Sequence, residues 1–382
     1  MILINKIEKI ETPFYFYNTD LLKKTLDALK NEIRDKPQFH VHYAVKANAQ
    51  KNILSIIAEA GLGADCVSGG EIRACIEAGF EASKIVYAGV GKRDWEIDLA
   101  LDYNIGCFNV ESFSELEIIN EIAQRKGKIA HVAIRVNPNV DAHTHEKITT
   151  GLEENKFGIS VSELFDIIEN AYRLSSIEFM GLHFHIGSQI TNMGVFRNLC
   201  SQVSKIMENV QKKFPIQSIN VGGGLGINYD NPDLALIPDF KSYFSIFERN
   251  INLSPKQSLH FELGRSIVGQ MGILVTKVLY VKRGLKKNFL IVDAGFTDLI
   301  RPALYQAKHK ILNISSTSNK NEVYDVVGPI CESSDVFAKD IILPESKRGD
   351  YIVIQSAGAY GEVMASTYNC RALIKSYCDF EF

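Results

Sequence analysis

Short apolar and β-branched runs recur through the first two thirds of the chain, and between them the apolar residues change to helical spacing. The runs are VHYAV from Val41, LGADC from Leu62, KIVYA from Lys84, IGCFNV from Ile105, HVAIRV from His131, IEFMGLHFH from Ile177, QSINV from Gln217 and SLHFE from Ser258. Seven stretches with helical spacing, such as NILSIIAEA and ELEIINEIAQR, lie between them, and DLLKKTLDALKNEI precedes the first. Strands alternating with helices predict parallel β/α units. Eight such strands close a barrel. After Glu262 the pattern changes: GILVTKVLYVKR, NFLIVDAG, EVYDVVGPI, DYIVIQSAG and RALIKSY read as strands with few helices between them. That predicts an antiparallel β domain. The expected fold is α/β, a (β/α)8 TIM-type barrel plus a C-terminal antiparallel β domain. Residues 1–25, which hold the strand FYFYN from Phe14, are expected to join the β domain, 26–270 to form the barrel, and 271–382 to form the β domain.

Composition narrows the setting. A chain of 382 residues suits one large barrel with a smaller domain, and an apolar share of 46% is enough for a sizeable core. The 42 basic and 45 acidic residues nearly balance, with no basic stripe or acidic tail, so nothing points to nucleic acid or membrane surfaces. Small anions must then be captured by a few placed groups. The seven cysteines are odd in number and lack C-x-x-C spacing, which argues against a disulfide framework or a structural zinc site and for a reducing compartment. The N-terminal MILINKIEKIETPF has no continuous apolar stretch of signal-peptide type, and no run is long enough to cross a membrane. A cytoplasmic enzyme is expected.

In a β/α barrel, chemistry sits at the C-terminal ends of the strands. Lys46 ends the first strand, in YAVKAN, and Asp65 the second. Arg135 and Asn137 end the fifth, and His185 and Ser188 follow the sixth in HFHIGSQ. The seventh runs into Gly222, Gly223 and Gly224, and the eighth ends in Glu262, Gly264 and Arg265 within FELGR. Each signal is weak by itself. A glycine run is often only a tight turn, although it also lets backbone amides approach an anion. A strand-end lysine usually points to solvent, although in a barrel mouth it can lose its proton and capture an aldehyde. Glu262 can be read as a rim partner of Arg265. Together they fit one cofactor. Pyridoxal phosphate needs a lysine for its aldehyde, donors for its phosphate and a partner for its ring nitrogen.

With YAVKAN, HIGSQ, GGGLG, FELGR and GAYG on one chain, the sequence resembles the barrel-type (fold type III) pyridoxal-phosphate decarboxylases from TPFYFY to the C-terminal strands. It is most similar to the members that act on diaminopimelate. The resemblance implies that Lys46 carries the cofactor, that His185 stacks on its ring, that Ser188 binds the phosphate and Gly224 gives it an amide, and that Gly223 and Gly264 also lie at the cofactor. It implies that Glu262 pairs with the ring nitrogen, that Arg265 lies near phosphate and substrate, and that Tyr360 in GAYG approaches both from the β domain. Asp65 matches an acidic position near the cofactor and is given a supporting role. The family usually has Glu-Pro-Gly-Arg where this chain has Glu262, Leu263, Gly264 and Arg265. The missing proline supplies no chemical group, so the departure bears on local rigidity.

The resemblance extends to RPALYQAKH, with Arg301 and Tyr305, and to GPICESSD, with Cys331 and Glu332. Diaminopimelate has an amino-acid head at each end. For the far end, Arg265 and Arg301 suit the carboxylate, since a guanidinium binds it in a fork, and Glu332 suits the ammonium. Tyr305 and Tyr360 are expected beside the substrate. Cys331 matches the family's proton donor, contributed to the neighbouring subunit's site, so an obligate homodimer with shared sites is implied. Cysteine is more often a small buried thiol, and that reading is kept for the others. His143 and His145 match a family loop without an assigned role.

Other readings remain in view. His183 and His185 point the same way along a strand and could share a zinc in a barrel hydrolase, but the other strands offer no convincing ligand set, so no metal is expected. A racemase of similar fold pairs the ring nitrogen with arginine, which Glu262 opposes. Relatives acting on ornithine or arginine need no arginine for a distal carboxylate. A regulatory relative without activity should have lost a catalytic group, yet Lys46, His185, Glu262 and Cys331 are all present.

Overall fold

The computed structural model describes residues 7–138, 140 and 156–378. The chain divides into two compact units. One comprises Leu26–Gly226 and Asp239–Gly264; the other takes the residues up to Thr25, the insert Ile227–Pro238 and everything from Arg265. Where the sequence leads one to expect a boundary near residue 270, the chain leaves the first unit at Gly264. The insert between the seventh and eighth barrel strands, which belongs to the second unit, has no counterpart in that expectation.

Strand β1 (Phe14–Tyr17) belongs to the second unit. The first unit is a closed parallel barrel of β2 (Phe39–Ala44), β3 (Gly63–Cys66), β4 (Ile85–Tyr87), β5 (Cys107–Val110), β6 (Ala130–Arg135), β7 (Ile177–His183), β8 (Ser218–Asn220) and β9 (Ser258–Leu263), taken in chain order. These are the eight apolar runs of the sequence. Helices between them start where a side chain can accept the free amides of the first turn. Ser68 Oγ accepts from Glu71 N at 3.2 Å while Glu71 reaches back to Val67 N at 2.7 Å, and Ser112 and Glu115 repeat the device with Glu111 N. The helices Met193–Val210 and Phe240–Asn250 carry Phe196, Tyr243, Phe244 and Phe247, whose rings pack with one another and, from the second helix, on Phe261 of β9. Truncating Phe261 there would cost about 3–5 kcal/mol. That packing fixes β9 against β2 with His42 opposite Glu262 and Tyr43 opposite Leu263, so Glu262 and the Lys46 turn emerge at the same end.

The second unit is a sheet ordered β12-β15-β10-β11-β13-β14, with β10 (Gly272–Arg283), β11 (Asn288–Val292), β12 (Ile311–Asn313), β13 (Asn321–Val327), β14 (Val336–Pro344) and β15 (Tyr351–Ile354). Most pairs are antiparallel; β11–β13 is parallel. β1 pairs antiparallel with β10 and parallel with β16 (Lys375–Cys378). All four β1 residues are apolar because Phe14, Tyr15 and Tyr17 are wholly buried there. The sequence reading missed β12 and β14, and RALIKSY forms a strand only at its end, since Arg371 instead donates to the Asp293 carbonyl at 2.7 Å. Among the described residues no helix is long and apolar enough to cross a membrane.

Candidate active site

The strand ends of the barrel gather a lysine, two carboxylates and two imidazoles. Lys46 lies in the short turn Val45–Ala47 directly after β2, and its Nζ stands 3.2 Å from Asp65 Oδ2 at the end of β3. Asp65 is wholly buried, whereas about a third of the Lys46 side chain, 37%, is open. Burial, then the Glu262 charge, push the Asp65 carboxyl up to about 6, with Lys46 pulling the other way. An accessible amine beside an acid is what capture of an aldehyde requires.

Glu262 is held mainly through one of its two oxygens. Its Oε1 accepts from Asn220 Nδ2 at 2.8 Å and Asn109 Nδ2 at 3.3 Å, and His183 Nε2 lies 3.1 Å from the same oxygen. His185 Nδ1 stands 3.9 Å from Oε2. Burial works to raise the Glu262 carboxyl, but His183, by charge and hydrogen bond, and Lys46 outweigh it and hold the group well below the usual carboxylate range. The strand ends at His183, so strand alternation does not govern His185; both rings lie near Glu262. Among the described residues, no group of three or more His, Cys, Asp or Glu side chains could hold a metal ion. The Gly223 amide donates to His185 Nδ1 at 3.4 Å, which makes that nitrogen an acceptor. Burial, then Lys46 and Arg135, keep the ring well below its ordinary pKa, hence neutral.

The glycine run is a cradle that no side chain could enter. A Cβ on Gly223 would lie 1.9 Å from the Glu262 carbonyl oxygen. Gly224 has φ +102°, and a Cβ there would meet the Gly187 carbonyl at 2.9 Å, just before Ser188. Asn220 ties the run to the acid, because its Oδ1 accepts from Gly222 N at 2.9 Å while its Nδ2 holds Glu262. The residues therefore fit pyridoxal phosphate: an exposed amine, a carboxylate kept ionised for a protonated ring nitrogen, and a glycine turn whose backbone an anion can approach closely at Gly224. Gly264 closes this unit.

The second unit holds a different set. Arg265 and Arg301 are both buried, at 6% and 4% exposure. Arg265 Nη1 donates to Tyr229 OH at 2.6 Å, and its Cζ lies 4.6 Å from the Tyr360 ring. Arg301 lies over the other aromatic partner, 4.6 Å from the Tyr229 ring, and Nη1 is 2.7 Å from His309 Nε2. Tyr305, at the end of the short helix Arg301–Tyr305, contributes to the field at both arginines. Tyr360 adopts φ +57°, a conformation that a non-glycine residue keeps only where its surroundings impose it.

Cys331 and Glu332 lie on the exposed turn between β13 and β14. Buried Asp335 holds that turn, accepting from Ile330 N and Phe296 N, each at 2.7 Å. Glu332 accepts from Tyr368 OH at 2.8 Å and is not bonded to the arginine cluster. His143 and His145 lie outside the described residues. The sequence reading missed Asn109, Asn220, Tyr229 and His309. A signal existed for Asn109, the lone polar residue in the apolar run CFNV, but Asn220 shares the run SIN with Ser218 and stands out less. None existed for His309, which sits between Lys308 and Lys310 and looks like part of a solvated stretch.

Comparison with known proteins adds independent findings. Residues 20–269 match the family model described as the pyridoxal-dependent decarboxylase, pyridoxal binding domain. The chain is 58% identical over 379 residues to the diaminopimelate decarboxylase of Bacteroides thetaiotaomicron, covering 99% of this chain and 98% of that one. It is 42% identical to the enzyme of the same name from Aquifex aeolicus, over 94% of this chain and 84% of that one. The crystal structure of diaminopimelate decarboxylase from Helicobacter pylori complexed with L-lysine is similar with a TM-score of 0.92 at 41% identity, covering 98% of this chain and 93% of that one.

Proposed function

Since the chain belongs to the pyridoxal-dependent decarboxylases, we propose that it converts meso-2,6-diaminopimelate to L-lysine and carbon dioxide, the last step of lysine biosynthesis. It is a carboxy-lyase, and its cofactor is pyridoxal phosphate. The observation that carries the reading is Glu262, a buried carboxylate kept charged by Asn109, Asn220 and His183 in the same barrel mouth as Lys46. Pyridoxal phosphate, when bound, supplies an aldehyde for an amine and a ring that withdraws electrons from the carbon losing carbon dioxide.

The protein supplies the rest. Lys46 would hold the cofactor, and Asp65, 3.2 Å away, would accept and return a proton of the Lys46 amine. Glu262 would keep a proton on the ring nitrogen, because an ionised acid stabilises the cation beside it. The Gly224 amide, with Ser188, would hold the phosphate, and Gly223, whose amide holds His185, would line the cofactor. Neutral His185 would lie against the ring without adding charge. Arg265 and Arg301 would bind carboxylate, Glu332 would bind the distal ammonium, and Tyr305 and Tyr360 would confine the substrate. Cys331 would return a proton to the carbon that lost carbon dioxide.

We further propose that the protein is a cytoplasmic homodimer in which Cys331 and Glu332 serve the partner's site; their place on an exposed turn supports this. Purified protein offered meso-diaminopimelate, ornithine and arginine side by side should release carbon dioxide fastest from the first, and preference for ornithine would overturn the substrate assignment. Mixing inactive Lys46→Ala and Cys331→Ala proteins should restore up to about a quarter of the activity, since one of the two sites in each mixed dimer is intact. No recovery after subunit exchange would refute the sharing.

A further inference from the structure

The two buried arginines of the second unit are held in a way that separates orientation from neutralisation. A guanidinium only donates, so the 2.7 Å contact from Arg301 Nη1 makes His309 Nε2 an acceptor. The ring proton then sits on Nδ1, where the Gln355 carbonyl accepts it at 2.8 Å. Both nitrogens of a neutral imidazole are thereby used. Burial and then the Arg301 charge push this imidazole down to about 3, so it stays neutral at any working pH. Tyr229 completes the brace: it meets the His309 ring edge-on at 5.0 Å and 73°, and presents its face to Arg301 at 4.6 Å.

Arg301 has no ion pair with a carboxylate among the described residues, and its Nε has no hydrogen-bond partner. A carboxylate in place of His309 would aim the guanidinium equally well but would cancel its charge and compete with an incoming anion. A neutral acceptor fixes direction and leaves the charge for a ligand.

We propose that His309 is a positioning and specificity residue that aims Arg301 at the second carboxylate of the substrate. The inference rests on the proposed function, in which Arg301 meets that carboxylate. Two substitutions separate the contacts. In His309→Gln the side-chain oxygen reaches the place of Nε2 and keeps the acceptor for Arg301. In His309→Asn the amide reaches only the place of Nδ1, so the link to Gln355 stays and the acceptor is lost.

The expected result with holoenzyme and meso-diaminopimelate is a KM raised about tenfold by His309→Asn, with kcat and the cofactor absorbance unchanged. Preference over ornithine, which lacks the second carboxylate, should fall by the same factor, while His309→Gln should stay near wild type. If both variants keep the wild-type KM, or both raise it equally, His309 does not aim Arg301. Arg301→Ala is the control: an unchanged KM there removes Arg301 from the substrate and overturns the underlying assignment itself, whatever His309 does.

Discussion

The barrel mouth and the arginine cluster of the second unit both bury charge, but they satisfy it differently. Glu262 is surrounded by donors from Asn109, Asn220 and His183, so its charge is met by the protein itself. Arg301 is met by an aromatic face and one neutral nitrogen, so most of its donors remain for something else. A charge that must stay ionised is held by the protein's own donors. A charge that must meet an incoming substrate is oriented and left underpaired. The cost of leaving a buried ion underpaired is acceptable only where a ligand offsets it.

The contrast can be broken at its strongest point first. Glu262→Gln places an amide among donors and removes the charge, and kcat should fall by a hundredfold or more, on the order of the loss of one preorganised electrostatic group. Near-normal turnover in a steady-state assay at pH 7.5 would show that the buried acid is dispensable. Asp65 tests the same mouth through stability. Its folded pKa of about 6 lies above the ordinary 3.8, so the folded protein holds a proton that the unfolded chain releases between those values. Stability therefore falls as pH rises through that window, and the penalty is complete above about 6. Asp65→Asn should gain ~3 kcal/mol in urea denaturation at pH 8, shrinking toward zero near pH 4. An equal gain at both pH values would contradict the assignment. The smallest effect belongs to Tyr229→Phe, which keeps the ring and removes only the acceptor for Arg265. About 1 kcal/mol, a fewfold rise in KM for meso-diaminopimelate, is expected; a hundredfold rise would mean that the cluster, like the mouth, is held by the protein's own partners.

The barrel was legible because each strand buries both faces, so apolar runs such as HVAIRV stand out from amphipathic helices. The mouth was legible because strand ends expose chemistry in register. The second unit was harder. β14 carries Lys339 and Asp340 in mid-strand, with Asp340 at φ +53° where the pairing with β13 is irregular, and so breaks the apolar alternation. β12 is three residues long. The insert Ile227–Pro238 gave no warning that it leaves the barrel, and it brings Tyr229 to Arg265 and Arg301 across long sequence separations. Arg301 was assigned by its neighbours in RPALY, but what holds it could be seen only in three dimensions.

Asn220 has a consequence beyond its own bonds. One side-chain amide spans the acid and the glycine turn, so the distance between those two points is set by a rigid planar group rather than by two independent loops. Vitamin analogues whose ring and ester are spaced differently would have to deform both anchors at once. On the roles proposed for the acid and the turn, discrimination among such look-alikes comes from a built-in ruler.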